Sequence, residues 1–179
     1  MKFANPLSLL FGLGLLLAAG KTLALPTDRE QPIRVQANSA ELDDKRGVAV
    51  YRGNVVITQG SIRVTGDTVT IARNPQGDID VFTAVGKPAS YEQKPSEDKP
   101  VLKATGMTIQ YFTSQERVVL IDQASIVQGG NTFQGEKIVY DTRRQIVNAG
   151  RASTGQVSAP QPRIDMVIQP NKNSPQEAQ

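Results

Sequence analysis

The 179-residue chain contains no cysteine, no histidine and no tryptophan, and aromatic residues make up only 5% of it. Each absence excludes something. Without cysteine there is no disulfide framework of the kind on which many small secreted domains rely. Without histidine and cysteine, Ser-His-Asp and Cys-His catalysis are missing in their usual forms, as are ordinary zinc sites. With so few aromatics, Val, Ile, Leu and Ala must line the interior. Helical periodicity is missing too. The best i, i+3, i+4 candidate, residues 38–44, is too short to stand alone, so no glycine-rich phosphate loop opens onto a helix. Charge of one sign is also lacking. Lys2 and Lys21 are the only charges in residues 1–24, so removing that segment takes 20 basic residues to 18 against 17 acidic ones, a net charge of +1. The basic pI of the full chain therefore gives no reason to expect a nucleic-acid partner.

What is present begins with a targeting signature. Lys2 gives a positive start, residues 7–19 are almost wholly apolar, and Thr22-Leu23-Ala24 offers small residues where a signal peptidase reads. The apolar run is shorter than the ~20 residues of a spanning helix. The expectation is a cleaved signal peptide over residues 1–24, cut after Ala24, and a protein released outside the cytoplasm. Residues 25–30 read as a polar leader, 31–169 as one domain with its own core, and 170–179 as a disordered polar tail.

The domain is organised around residues 51–71, YRGNVVITQGSIRVTGDTVTI. Two runs of alternating apolar and polar residues meet at Gln59-Gly60, which reads as a hairpin. Each arm carries an internal glycine, Gly53 or Gly66, and a glycine inside a strand pattern marks a bulge or bend. The same device recurs. One register, in VQANSAEL, IRVTGDTV, LKATGMTI and NTFQGEKI, aligns Ser39, Gly66, Gly106 and Gly135. A second aligns Gly53, Gly86, Gln123 and Gly150. The two registers alternate along the chain, so each stretch reads as strand, bend, strand. The predicted fold is all-β: a single bent, V-shaped antiparallel β-jellyroll with an apolar groove and open sheet edges. Residues 164–168, where Ile164, Met166 and Ile168 alternate between flanking prolines, read as a last strand on an edge.

Reactive chemistry is thin. Asp43, Asp44, Asp67, Asp78 and Asp80 are the candidate carboxylates for glycoside hydrolysis, but they fall at turns and strand ends where acids are common. Asp78 and Asp80 beside Gly77 lack the further oxygen ligands of a calcium loop. The chain is therefore read as a non-enzyme without cofactor or metal.

Residues 31–35 (QPIRV) with 40–43 (AELD), and 51–60 (YRGNVVITQG) with its G-N-V-x-[IV]-T-Q-G core, resemble the OstA-like lipopolysaccharide-transport family. Residues 84–89 (AVGKPA) match its G-x-G-K-P-A segment, with Ala84 in place of the first glycine. The resemblance covers about residues 31–149 and is nearest to the family's soluble periplasmic bridge members. It implies a V-shaped jellyroll that binds lipopolysaccharide, stacks head to tail, and pairs edges with inner-membrane and outer-membrane transport components. The acyl chains would be sheltered in the groove, and each CH₂ removed from water is worth about 0.8 kcal/mol.

On this reading Ile33 and Val35 line the groove, and Tyr91, Ile109 and Tyr111 match positions where the family places lining residues. Phe133 and Ile138 are added from alternation alone. For strand addition the candidates are Ile33 and Val35 on one edge and Ile164, Met166 and Ile168 on the other. Two rival readings are a secreted carbohydrate-binding or carbohydrate-cleaving β protein and a structural envelope protein without lipid cargo.

Overall fold

The computed structural model describes residues 28–150 and 163–170. The predicted signal peptide and all but Pro170 of the predicted tail lie outside the described residues. After a 3-10 turn at Asp28–Glu30 come ten strands: β1 (Arg34–Gln36), β2 (Ser39–Asp43), β3 (Val48–Gln59), β4 (Ile62–Arg73), β5 (Ile79–Gln93), β6 (Leu102–Phe112), β7 (Arg117–Gln128), β8 (Asn131–Asp141), β9 (Ile146–Gly150) and β10 (Asp165–Val167). All belong to one antiparallel sheet in which β3 to β8 follow one another in sequence order. β1 and β2 share one flank of β3, and β10 and β9 share one flank of β8. The stretch 33–43 is thus two short strands rather than one. The chain breaks at Ala37-Asn38, where the Asn38 amide reaches the carbonyls of both Arg52 and Gly53.

Every long strand is interrupted at the same level. The β3–β4 register shifts after Arg52, β4–β5 after Thr65, β5–β6 after Val85, β6–β7 after Thr105 and β7–β8 after Ile121. These shifts fall at Gly53, Gly66, Gly86, Gly106, Gln123 and Gly135, six of the eight positions aligned by the sequence repeats. Gly66 illustrates the physical need. A Cβ there would sit 2.8 Å from the Val85 carbonyl oxygen, inside van der Waals contact. Gln123 serves without being glycine because it and Asp122 both adopt positive φ, so the two residues form the kink between them. Ser39 falls one residue past the β1–β2 break, and Gly150 ends β9.

The bends fold the sheet onto itself. Tyr91 pairs with Ala104, and Ala104 lies seven residues before Tyr111 on β6. A straight strand would separate those levels by about 23 Å. The two tyrosine rings nevertheless lie 5.9 Å apart, and Phe82 stacks on Tyr111 at 6.1 Å. Hence each long strand contributes one half to each of two facing layers. The period-2 alternation puts Ile57, Val64, Tyr91, Ala104 and Ile126 on the inner face of one layer and Ile71, Phe82, Tyr111, Val118 and Tyr140 on that of the other. All ten are buried. Burying side chains of this size contributes roughly 1.5–3 kcal/mol each, which lets the sheet hold without cross-links.

Candidate functional site

The inner face is built of rows that cross the whole sheet. In the first layer the register runs Val35, Ile57, Val64, Tyr91, Ala104, Ile126, Phe133, Met166, from one edge strand to the other. In the second it runs Ala49, Ile71, Phe82, Tyr111, Val118, Tyr140, Val147. Near the bends a third row, including Val69, Ala84, Ile109, Leu120 and Ile138, joins them. No charged side chain interrupts any of the three.

Of the predicted lining residues, Tyr91, Ile109, Tyr111 and Ile138 are fully buried in this interior. Ile33, Val35 and Phe133 are partly buried and pack against it. The structure therefore brings all seven to one continuous apolar surface. Of the predicted edge residues, Ile164, Met166 and Ile168 are 46%, 50% and 68% exposed. They sit on or beside β10, which pairs through Thr132–Gln134. Sequence reasoning missed Ile126, Leu120 and Tyr140, although the alternation Val118, Leu120 across β7 carried the signal.

Two cavities among the described residues flank this interior. A cleft of about 260 Å³ opens under the first edge between Ile33, Val35, Leu42, Tyr51 and Ile79. A larger cavity of about 800 Å³ lies at the mouth, where the 3-10 turn meets Ser61, Gln93, Lys94, Tyr111, Glu116 and Arg143. Between them the layers touch.

The electrostatics keep this interior neutral. Burial above all, then neighbouring Tyr111, pushes the Tyr91 phenol well above its ordinary value. Burial likewise raises Tyr111 and Tyr140. The Tyr91 hydroxyl donates to Gln93 Oε1 at 2.9 Å, whereas the buried Tyr140 hydroxyl has no partner among the described residues. At the mouth, the hydrogen bond from Arg143, with support from Arg29, holds Glu116 below the usual carboxylate range. Among the described residues no group of three or more acids is placed to hold a metal ion, and no helix is long and apolar enough to cross a membrane.

A bent, open-edged β-jellyroll around an apolar trough is the class that fold and interior define. The family described as LptA/(LptD N-terminal domain) LPS transport protein matches residues 34–146. The chain is 68% identical over 174 residues to the lipopolysaccharide export system protein LptH of Pseudomonas aeruginosa, covering 97% of this chain and 99% of that one. It is 32% identical over 154 residues to the lipopolysaccharide export system protein LptA of Escherichia coli, covering 83% and 82%. The crystal structure of P. aeruginosa LptH, described as the LptA-homologous periplasmic component of the lipopolysaccharide transport device, superposes with a TM-score of 0.75. It shares 70% identity and covers 81% of this chain and 100% of that one. This chain belongs to the LptA/(LptD N-terminal domain) family of lipopolysaccharide transport proteins.

Proposed function

We propose that this protein is a periplasmic carrier that shelters the acyl chains of lipopolysaccharide in its trough and hands the lipid on from the inner toward the outer membrane. The observation that carries the reading is the uninterrupted apolar row from Val35 to Met166 inside a sheet with unpaired edges. Non-directional contacts suit a lipid in transit, because they lower the cost of exposing CH₂ groups without fixing the cargo in one pose. On this reading the protein acts by binding and not by catalysis. A signal peptide over residues 1–24 would deliver it.

The lining residues in this proposal are Ile33, Val35, Tyr91, Ile109, Tyr111, Phe133 and Ile138. Copies join head to tail, β10 of one against β1 of the next, and the transport components of the two membranes use the same edges. Pairing of that sense brings Met166 beside Val35, so the apolar row continues from copy to copy. A heterologous contact of this kind need not close.

The test is co-elution of lipopolysaccharide with the purified chain from residue 25 onward. Ile33→Asp is the informative variant, since Ile33 is only partly buried; Tyr111→Asp would bury a charge and unfold the protein. The expected result is lipid co-eluting with the parent chain and lost from a folded Ile33→Asp variant. Absence of lipid from the folded parent chain would overturn the reading. Deleting residues 160–179 should shorten concentration-dependent oligomers; an unchanged size distribution would assign joining to another surface.

A further inference from the structure

The trough is fastened at its mouth by a few residues that the lipid-carrier reading does not use. The Asp28 carboxylate accepts from the Ser61 amide at 2.6 Å, the Ser61 hydroxyl at 2.8 Å and Gln93 Nε2 at 3.0 Å. Ser61 is in the β3–β4 turn and Gln93 ends β5, so these bonds reach the lip of the first layer. Gln59 is buried, and its Nε2 donates to the backbone carbonyls of Arg29 and Gln31, both at 3.2 Å. On the other side the Arg29 guanidinium lies 2.7 Å from Glu116, in the β6–β7 turn at the lip of the second layer. Glu116 also takes Arg143, from the β8–β9 turn, at 2.6 Å. Three residues thus tie together turns at opposite ends of the strands.

Two details mark this as a built contact. Gly60 has positive φ, and a Cβ there would collide with the Asp28 carboxylate. Glu116 also has positive φ, at 48°, a conformation that L side chains disfavour. Of the other turns at this end of the strands, 44–47 and 74–77 place Gly47 and Gly77 at positive φ, while 142–145 places Gln145 there. Glutamate at 116 therefore accepts backbone strain that a glycine would avoid, and its carboxylate gains two guanidinium partners.

The mouth is a poor receptor for an anionic headgroup. Asp28, Glu97, Asp98 and Glu116 line the cavity against only Arg29, Lys94 and Arg143, and each of those cations already has a carboxylate partner. Its polar groups are paired with one another. The 3-10 turn buries none of its own side chains, so it is held largely by hydrogen bonds and ion pairs, and such contacts exchange with water at small net cost. Meanwhile the two layers are in contact at Tyr91 and Tyr111, so a cargo of several acyl chains fits between them only if the layers separate.

We infer that residues 28–31 are a releasable strap: they hold the two lips of the trough together, and they let go when an acylated cargo parts the layers. The admission role rests on the lipid-carrier reading; the fastening does not. Because the chain lacks cysteine, a pair introduced at Lys99 and Ser114, both exposed and outside the strap, is unique. Spin labels there report the separation of the lips without any lipid. Arg29→Ala and Glu116→Gly each cut the tie; the first is an exposed side chain and the second relieves strain, so both should fold. The expected result is a longer, broader distance distribution in either variant than in the parent, together with several-fold faster uptake of purified lipopolysaccharide. Distances equal to the parent's would overturn the strap. Wider lips with an unchanged uptake rate would overturn its role in admission. If parent and variants alike take up no lipopolysaccharide while the lips still separate, the strap stands and the carrier reading falls.

Discussion

The two edges of the sheet are built alike and finished differently. At the first, β1 and β2 divide one flank of β3 between them, joined by only two residues. At the last, β10 and β9 divide one flank of β8, but in reversed order, with residues 151–164 running between them. On and beside β1 at the first edge, Ile33 and Val35 pack against the core, although Leu42 on the neighbouring β2 is 66% exposed. Met166, Val167 and Ile168 at the last are half exposed or nearly so. A strand such as β1, whose side chains are already satisfied, is a receptor that holds its shape. An edge with apolar side chains still facing water is the half that gains by finding a partner. If copies join head to tail as proposed, the polarity of the assembly follows from that inequality.

The comparison is sharpest against the middle of the sheet. Leu120→Ala, deep in β7, should cost about 2–5 kcal/mol and leave both edges equally disturbed; denaturant unfolding measures it. Val35→Ala should cost about 1 kcal/mol, as expected for a half-buried loss of two methyl groups. Met166→Ala should change monomer stability by less than about 0.5 kcal/mol while markedly reducing oligomer size. If Met166→Ala destabilised the monomer as much as Val35→Ala, the two edges would be equivalent and the polarity argument would fail.

The smallest expected effect is that of pH. The Arg46 amide and guanidinium hold Asp43 below its ordinary range, and Arg144 does the same for Asp141. Glu116 is lowered by Arg143 and Arg29. Lowered carboxylates contribute stability that is fully present above their unfolded values, near pH 4, and lost as pH falls through the lower folded values. With no histidine to titrate, the melting temperature should be flat between about pH 5.5 and 8 and fall in acid. A step near pH 6.5 would contradict this assignment of the charges.

Much of the fold was legible because bends and alternation are local signals. Gly66 and Gly106 interrupt strands that otherwise alternate cleanly, so the line of kinks could be read before any coordinates. The β1–β2 break was read one residue late, at Ser39, because Asn38 makes it through a bond to β3 that no neighbouring residue announces. The strap was read only as a polar leader. Its partners Ser61, Gln93 and Glu116 lie 33, 65 and 87 residues from the residues they hold, and the sequence gives no sign of which turns meet. Tyr91 and Tyr111 were chosen as lining residues, yet their mutual contact depends on the direction in which the sheet bends, which alternation leaves open.

The shared level of the kinks has a mechanical consequence. Adjacent strands are hydrogen-bonded both above and below that level, so each half-sheet is a stiff board and the kinks form one spine between them. A board cannot lift at a single strand without shearing its ladder. Widening at any point therefore turns the whole cover, and an object entering at one edge makes room for itself along the full length of the spine.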